Sequence, residues 1–240
     1  MIIEGKNVVL QAIKANQTIN ALFVQNGQND AESKNIISLA RQNNIKINFS
    51  DKFVLDKKSQ TKHHQGFLAE VVDFEYCDVE DILEVHKKNQ TDAFIVILDG
   101  IKDPHNFGAI IRTCECCGVD GIIISKHRCV AVNDTVVKTS TGACANMKIA
   151  RVTNINNTFE MLKKQNIWVF GAELGGENIY QTNLKGNVAI VLGSEGEGLS
   201  RLTKEKCDQI TTIPLFGTVN SLNASVACGV VLFEAKRQRV

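Results

Sequence analysis

Between residues 92 and 240, short apolar runs alternate with helical patterns, and this alternation limits the fold more than any other feature of the chain. Short apolar runs bounded by turn residues predict buried strands, whereas apolar residues three or four apart predict amphipathic helices. We predict strands near residues 93–98, 120–125, 147–152, 167–172, 188–192 and 210–213, and helices near 107–117, 133–140, 157–165, 199–206 and 221–236. Such a rhythm forms a largely parallel sheet covered by helices on both faces, so the sequence predicts an α/β fold.

Residues 1–72 show a smaller α/β pattern. Helical patterns at Asn7–Ile13 and Ser33–Gln42 alternate with strand patterns at Ala21–Val24, Ile45–Phe49 and Gly66–Val72. The segment 73–91 is charged and polar, with one short helical pattern around Ile82. We therefore predict a first domain at 1–72, a linker at 73–91 and a second domain at 92–240.

Composition indicates a globular soluble protein, with 44% hydrophobic and 22% charged residues. No apolar run approaches the roughly 18–20 residues that span a bilayer. The N-terminus also shows no signal pattern. We expect a cytoplasmic location and no membrane partner. The net charge of +1 neither favours nor excludes a nucleic acid as partner.

The eight cysteines do not predict a metal site. Most lie in apolar stretches, where a free thiol packs as a small hydrophobe. Cys114 and Cys117 have the Cys-x-x-Cys spacing, but no second pair follows at zinc-finger spacing. His63 and His64 lack acidic or cysteine partners at metal-ligand spacing. We predict packing roles for the two cysteines and no bound metal.

The segment Asp103–Arg112 follows the first strand of the second domain and opens a helix. Arg112 is surrounded in the sequence by apolar residues. It follows four residues after Gly108, which has no side chain to block the arginine. Helical side chains lean toward the N-terminus, so Arg112 is expected to reach toward Asn106. This places a cation and an amide where open α/β sheets bind ligands. The alternative is a helix cap at Asn106 and an arginine whose stem covers apolar surface.

A second loop, Ala189–Leu199, combines a buried strand with Gly193, Gly196 and Gly198. Its pattern is neither a dinucleotide fingerprint nor a Walker loop. Two carboxylates, Glu195 and Glu197, also make it unsuited to phosphate. A neutral or cationic ligand fits better, and a plain strand-to-helix turn is the alternative.

A third loop runs from Ile210 to Ala227 and contains Pro214 and Gly217. We expect a helix to open at Asn220 or Ser221, yet the helix entry holds several further polar residues. One helix cap needs only one of them. The surplus, including Asn223, predicts hydrogen bonds beyond the helix.

Together the three loops resemble the three signature motifs of the SpoU (TrmH-type) RNA ribose 2′-O-methyltransferases. The resemblance rests on Asn106 to Arg112, Gly193 to Leu199 and Ile213 to Ala227, in order and at fitting spacing across about residues 91–240. In the first domain, Glu4–Leu10 and His64–Gly66 are similar to the ribosomal-protein-L30e-like substrate-binding domain of the bacterial enzyme that methylates a guanosine ribose in 23S rRNA.

The resemblance implies a SPOUT domain with a deep trefoil knot, a homodimer, S-adenosylmethionine as cofactor and 23S rRNA as substrate. The implied cofactor-binding positions are Gly193, Ile213 and Leu222, with their neighbours Leu192 and Pro214. The implied catalytic positions are Arg112, Asn106, Glu195, Ser221 and Asn223. The family assigns the activating role to the arginine. An arginine keeps its proton, however, so a phosphate clamp or stabilisation of the developing alkoxide stands as the alternative role.

Other functions stay open at this point. A tRNA ribose 2′-O-methyltransferase of the same family lies nearest, although the L30e-like domain argues against the minimal tRNA enzymes. A catalytically inactive RNA-binding ribosome assembly factor is the second alternative, and the intact motif residues argue against it. A metabolic nucleotide-binding enzyme is excluded by the missing phosphate loop.

Overall fold

The computed structural model describes residues 1–14, 17, 19–43, 45–71 and 74–240. Its contacts divide the chain into two units. Unit 1 comprises Met1–Glu75 with Val132–Asn146, and unit 2 comprises Tyr76–Ala131 with Met147–Val240. Among the described helices, none is both long enough and apolar enough to cross a bilayer.

The described residues of unit 1 form a four-stranded sheet with the order β1-β4-β2-β3. The strands are β1 (Ile2–Glu4), β2 (Ile19–Gln25), β3 (Ile47–Ser50) and β4 (Phe67–Val71). The helices of residues 1–75 are α1 (Lys6–Lys14), α2 (Ala31–Gln42) and α3 (Lys52–Lys58). The predicted helices and strands are present, although Val72 at the end of the last predicted strand lies outside the described residues. β1 and α3 were not predicted, because such short elements carry too little periodicity.

Residues 132–146 belong by their contacts to unit 1, whereas the sequence placed them in the second domain. They form the short helices α6 (Asp134–Thr139) and α7 (Ala143–Asn146). The Lys138 ammonium lies 3.0 Å from Thr61 Oγ1 and 3.7 Å from the Glu4 carboxylate. Local periodicity predicts that a helix forms but not against which sheet it packs, so this assignment required the tertiary contacts.

Every residue of unit 2 is described, and its strands form a six-stranded, all-parallel sheet with the order β10-β8-β9-β5-β6-β7. The strands are β5 (Phe94–Asp99), β6 (Gly121–Ser125), β7 (Ile149–Val152), β8 (Trp168–Asn178), β9 (Val188–Gly193) and β10 (Gln209–Thr212). The remaining helices are α4 (Val79–Asn89), α5 (Pro104–Cys117), α8 (Ile155–Lys164), α9 (Arg201–Lys206) and α10 (Ala224–Arg237). The strand and helix alternation predicted from the sequence is confirmed.

The segment interpreted as a linker contains α4, which packs into the core of unit 2. Its apolar face, Val79, Ile82 and Leu83, lies in the same buried cluster as Ile95 and Phe159. The helix begins with a capping box between Asp78 and Asp81, which satisfies backbone groups that a helix start leaves free. The short helical pattern around Ile82 was recognised in the sequence, but the many charged residues of the segment led to its interpretation as a linker. Asp73, at the start of the predicted linker, lies outside the described residues.

The sheet register brings two of the predicted loops side by side. β5 lies between β9 and β6, and Asp99 at the end of β5 pairs with Gly193 at the end of β9. Parallel strands deliver their following loops to the same edge of the sheet, where α/β proteins bind ligands. The loops after β5 and β9 therefore meet at this edge.

Helices α5 and α10 pack together through small buried side chains. Cys114, Cys117 and Cys228 are each fully buried in this helix pair. Burial and the neighbouring Cys228 thiol raise the pKa of Cys114 well above its usual value. Burial also raises the pKa of Cys117 to about 11. Both thiols stay protonated near neutral pH, which confirms the packing role predicted for them.

Candidate active site

The loop after β5 holds Asn106 in the first turn of α5. The helix is capped by Asp103, whose carboxylate accepts from the backbone N–H of His105 at 3.3 Å and of Asn106 at 3.0 Å. Pro104 occupies the first helical position, where its missing N–H costs nothing. Because Asp103 is the cap, the alternative that Asn106 caps this helix is excluded, and the Asn106 amide is available to other partners.

The loop after β9 presents Glu195 on a tight turn. Ser194 and Gly198 exchange backbone hydrogen bonds of 3.2 and 3.0 Å. Gly196 and Gly198 have φ angles of +85° and +64°, which favour glycine. At Gly193 a Cβ atom would lie 2.2 Å from the carbonyl carbon of Gly198. Glycine is therefore required there by the close approach of the two backbone segments.

Three side chains from the three predicted loops meet at this edge. The Asn106 Nδ2 donates to Glu195 Oε1 at 2.9 Å. The Asn223 Nδ2 donates to Asn106 Oδ1 at 3.0 Å and to Glu195 Oε1 at 2.5 Å. The same Glu195 oxygen accepts from the backbone N–H of Ala224 at 3.1 Å. We call Asn106, Glu195 and Asn223 the loop triad.

Asn223 has a second role as the cap of α10. Its Oδ1 accepts from the backbone N–H groups of Ser225 at 2.9 Å and Val226 at 3.3 Å. The helix therefore begins at Ala224, later than predicted, and Ser221 remains in the preceding loop. One cap residue suffices, and the amide nitrogen of that same residue makes the hydrogen bonds beyond the helix that the sequence predicted.

A cavity of about 300 Å³ opens beside the loop triad. Of the predicted cofactor-binding residues, Gly193, Ile213 and Leu222 line it, and so does Ser221. The other two predicted cofactor-binding residues, Leu192 and Pro214, are not among the described residues that line this cavity. Leu192 is 3% exposed within β9 and belongs to the core. A strand alternates its side chains between two faces, so sequence neighbours need not face the same space.

The sequence analysis missed one wall of the cavity. β8 extends to Asn178, beyond its predicted end at 172, and adds Glu173 and Leu174 to the lining. The Glu173 carboxylate accepts from the backbone N–H of Leu199 at 2.7 Å and lies 3.4 Å from the Lys204 ammonium. The strand continues through the two glycines at 175 and 176.

Asp99 is a second polar residue that was missed. It is 1% exposed at the end of β5 and accepts from Thr203 Oγ1 at 2.7 Å and the backbone N–H of Ser200 at 3.2 Å. Its other oxygen lies 3.0 Å from the Arg128 guanidinium. These contacts tie the end of β5 to the start of α9. A carboxylate directly after an apolar run was the available signal.

Arg112 does not join the loop triad within one chain. Its neighbours Ile111 and Cys114 face the core, whereas Arg112 lies on the exposed side of α5. No hydrogen bond or ion pair connects its guanidinium to any residue that the structure describes. The expected reach toward Asn106 is thus not observed. The apolar residues around Arg112 in the sequence belong to a different face of the helix.

Comparison with known proteins assigns the family. Residues 93–233 match the SpoU rRNA Methylase family, and residues 2–77 match the RNA 2′-O ribose methyltransferase substrate binding family. The chain belongs to the SpoU rRNA methylase family. The resemblance stated from the three motifs is confirmed. Of its residues, Asn106, Glu195 and Asn223 form the loop triad, whereas Arg112 lies outside it.

Two relatives extend over nearly the whole SpoU chain. The 23S rRNA (guanosine-2′-O-)-methyltransferase RlmB of Coxiella burnetii is 42% identical over 226 residues, which are 94% of this chain and 90% of that protein. A putative TrmH family tRNA/rRNA methyltransferase of Bacillus subtilis, YacO, is 38% identical over 237 residues, which are 98% of this chain and 94% of that protein.

Among solved structures, the SpoU methyltransferase AviRb from Streptomyces viridochromogenes, in complex with the cofactor AdoMet, superposes with a TM-score of 0.85. The match covers 100% of this chain and 90% of that chain at 21% sequence identity. At this identity the likeness supports the SpoU methyltransferase fold, with its parallel sheet and N-terminal substrate-binding domain.

Proposed function

We propose that this chain transfers the methyl group of S-adenosylmethionine to the ribose 2′-hydroxyl of a guanosine in 23S rRNA. The observation that carries the proposal is the loop triad beside the cavity. The three residues come from three separate loops, and the amide groups of Asn106 and Asn223 both donate to one carboxylate oxygen of Glu195. The 42% identity to an RlmB protein supports 23S rRNA as the substrate.

The cavity residues fit this cofactor. About 300 Å³ of space lies within the usual range of small-molecule sites. Gly193, Ile213 and Leu222 would hold the cofactor against backbone and apolar surface. Glu173 and Glu195 also line the cavity, and carboxylates suit a ligand that is cationic and carries no phosphate. When bound, the cofactor supplies an electrophilic methyl group on its sulfonium.

The loop triad is suited to position the ribose. Methyl transfer needs the attacking oxygen held at near-attack distance from the methyl carbon. Glu195 Oε1 is occupied by three donors, which leaves Oε2 to accept a hydrogen bond from the ribose hydroxyl. Ser221 lines the same cavity and supplies a further hydroxyl. Asn106 and Asn223 fix the Glu195 carboxylate in place.

Arg112 is proposed as the electrostatic group of the reaction. A guanidinium keeps its proton and is a poor general base, whereas it stabilises a phosphate or a developing alkoxide well. Because Arg112 is exposed and lacks a described partner, its charge is available to the RNA or to a neighbouring subunit. Arg112→Ala should abolish methyl transfer and leave cofactor affinity, measured by calorimetry, within about twofold. Equal loss of both would contradict this role.

A homodimer is proposed from the outer face of α10. Val226 and Phe233 are 52% and 56% exposed, and Phe216 and Val219 in the preceding loop are 97% and 72% exposed. Large exposed apolar side chains that lie together mark protein interfaces. A second copy of this chain would cover them. Light scattering should give a dimer for the natural protein and a monomer for Val226→Glu combined with Phe233→Glu.

We further propose the deep trefoil knot at the C-terminus, formed by threading of the segment between β10 and α10. The contacts of Glu195 with Asn223 and Ala224 support a close crossing of the two loops. An experimental structure whose chain simplifies to an unknotted line would contradict it. The assignment of RNA selection to the first domain and of methyl transfer to the second, together with a cytoplasmic location, stays a prediction.

The deciding experiment is methyl transfer from labelled S-adenosylmethionine to unmodified bulk rRNA and tRNA, followed by mapping of the modified nucleotide. Label at a guanosine ribose of 23S rRNA is expected, with Arg112→Ala as the inactive control. Label in tRNA alone would favour the tRNA enzyme. Absence of label in both RNAs, with RNA binding retained, would favour an inactive assembly factor.

A further inference from the structure

A groove on unit 1 lies outside the proposed methyl-transfer site. It has a volume of about 380 Å³ and lies between the start of α3 and the loop that precedes β4. Its polar wall includes Gln25, Lys52, Lys62, His63 and Gln65. We call it the loop groove. The described contacts of this surface give it both a fixed shape and an excess of positive charge.

The loop is held by a buried histidine. His64 is 2% exposed, and its Nδ1 accepts from the backbone N–H of Gly66 at 2.9 Å. Its Nε2 therefore carries the proton and donates to the Asp56 carboxylate at 3.0 Å. At Gly66, where φ is +82°, a Cβ atom would lie 2.2 Å from Gln28 Nε2. These contacts fix the backbone that carries the groove residues.

The same loop adopts a costly backbone conformation. Lys62 and Gln65 have φ angles of 59° and 52°, and such left-handed conformations cost non-glycine residues roughly 1–2 kcal/mol each. Strain of this kind is retained mostly at functional sites. In this loop the side chains of Lys62, His63 and Gln65 are all exposed.

The described lining of the loop groove contains two lysines and no acidic residue. The carboxylates of Asp51 and Asp56 lie outside this lining and accept hydrogen bonds from Asn26 Nδ2 at 2.8 Å and from His64 Nε2 at 3.0 Å. By contrast, the ammonium groups of Lys52 and Lys62 have no hydrogen-bond or ion-pair partner among the described residues. The lining of the groove therefore carries positive charge, which complements a polyanion.

An exposed aromatic ring adjoins this charge. Phe53 follows Lys52 at the start of α3 and is 67% exposed. The Lys57 ammonium lies 4.4 Å from the centre of its ring. Exposed aromatic rings beside cationic side chains form surfaces on which unpaired RNA bases stack.

We propose that the loop groove binds the phosphodiester backbone of an unpaired segment of the RNA substrate, with a base stacked on Phe53. The inference rests on the proposed function and deepens it, because it assigns RNA recognition to one face of unit 1. Lys52 and Lys62 would contact phosphates, and Gln65 would donate hydrogen bonds to phosphate or base. Phosphate contacts of this kind position the RNA rather than read its sequence.

The test is binding of the full-length protein to a transcribed 23S rRNA fragment at several salt concentrations. Each phosphate contact contributes about 0.7–0.9 to the slope of log affinity against log salt. Lys52→Ala combined with Lys62→Ala should reduce that slope by about 1.4–1.8 and weaken binding roughly 30-fold at 0.1 M salt. Phe53→Ala should weaken binding about tenfold with an unchanged slope.

Two controls match these variants. Lys34→Ala combined with Arg41→Ala removes the same charge from the exposed surface of α2, and Trp168→Ala removes a ring that is 61% exposed on unit 2. Both should bind RNA like the natural protein. Cofactor affinity, measured by calorimetry, should be unchanged in every variant.

The outcomes separate the two proposals. If the natural protein methylates rRNA while the lysine double variant keeps its affinity and slope, the loop groove proposal fails alone and the surface serves another partner. If Lys52→Gln combined with Lys62→Gln keeps the natural slope, the proposal also fails. If the natural protein neither binds nor methylates rRNA, the proposed function falls together with it.

Discussion

Substitutions at Asn223 can separate its contribution to stability from its contribution to activity, because the two polar atoms of its amide contact different groups. Its Oδ1 caps α10 through Ser225 and Val226, and its Nδ2 connects the loop triad. Asn223→Ala removes both functions. Asn223→Ser keeps a hydroxyl that can cap the helix but is too short to replace the amide donor toward both Asn106 and Glu195.

The expected magnitudes follow from these contacts. Loss of a helix cap costs about 1 kcal/mol, with a range of roughly 0.5–2. For a chain of this size, 1 kcal/mol lowers Tm by about 2–4 °C. Asn223→Ala should therefore lose a few degrees, and Asn223→Ser about one degree or less. Both variants release Asn106 and Glu195 from their shared donor, and misplacement of a positioned group commonly costs about 100-fold in rate.

The assay measures initial rates of methyl transfer to unmodified rRNA at a temperature well below every Tm. Scanning calorimetry gives Tm, and isothermal titration gives cofactor affinity. The expected pattern is a similar rate loss in both variants with a stability loss in Asn223→Ala only. A fully active Asn223→Ser protein would refute the reasoning, because the cap alone would then explain the residue.

Three further predictions concern other parts of the chain. Gly193→Ala should weaken cofactor binding at least about tenfold by calorimetry, since overpacking of this kind costs roughly 1–3 kcal/mol. The control Gly217→Ala, where no atom lies within 4 Å of the new Cβ, should bind the cofactor normally. Equal affinities of the two variants would contradict the cavity assignment. Cys117, whose pKa is raised to about 11, should resist alkylation at pH 8 in native protein and react in urea, as peptide mass spectrometry can check; rapid native modification would count against its burial. Burial raises the pKa of Glu4, but hydrogen bonds from Ser59 and Thr61 outweigh it and the net pKa is lowered, so its stabilisation is present above the unfolded pKa and lost as pH falls through the folded one. In urea titrations Glu4→Gln should be less stable than the natural protein by about 1–2 kcal/mol at pH 7, and this difference should shrink as the pH falls below 4.5, the usual pKa of the group. A difference that does not change with pH would exclude this linkage.

The secondary structure of unit 2 was largely predictable because its signals are local. Buried parallel strands such as Phe94–Asp99 are continuous apolar runs, and α5 carries a clear helical pattern. The failures have physical reasons as well. β1 and α3 are too short to show a period, and the helical pattern of α4 was recognised but, because of its many charges, interpreted as part of a linker.

The candidate site was predictable in its membership more than in its geometry. Asn106, Glu195 and Asn223 were identified from loop motifs, and the structure brings them together. Glu173 and Asp99 were missed, because each matters through contacts with residues far away in the sequence. Arg112 was expected beside Asn106, although its position on the exposed side of α5 places its guanidinium in solvent.

The sequence by itself determined the alternation of strands and helices, the three polar loops at strand ends and the family to which they belong. These properties depend on neighbouring residues and on motif spacing, which a sequence records directly. Only the tertiary structure decided that Asn106 contacts Asn223 across 117 positions, that Gly193 but not Leu192 lines the cavity, and that residues 132–146 pack in unit 1. Such contacts depend on the strand order β10-β8-β9-β5-β6-β7. That order minimises the free energy of the whole chain, and no local segment encodes it.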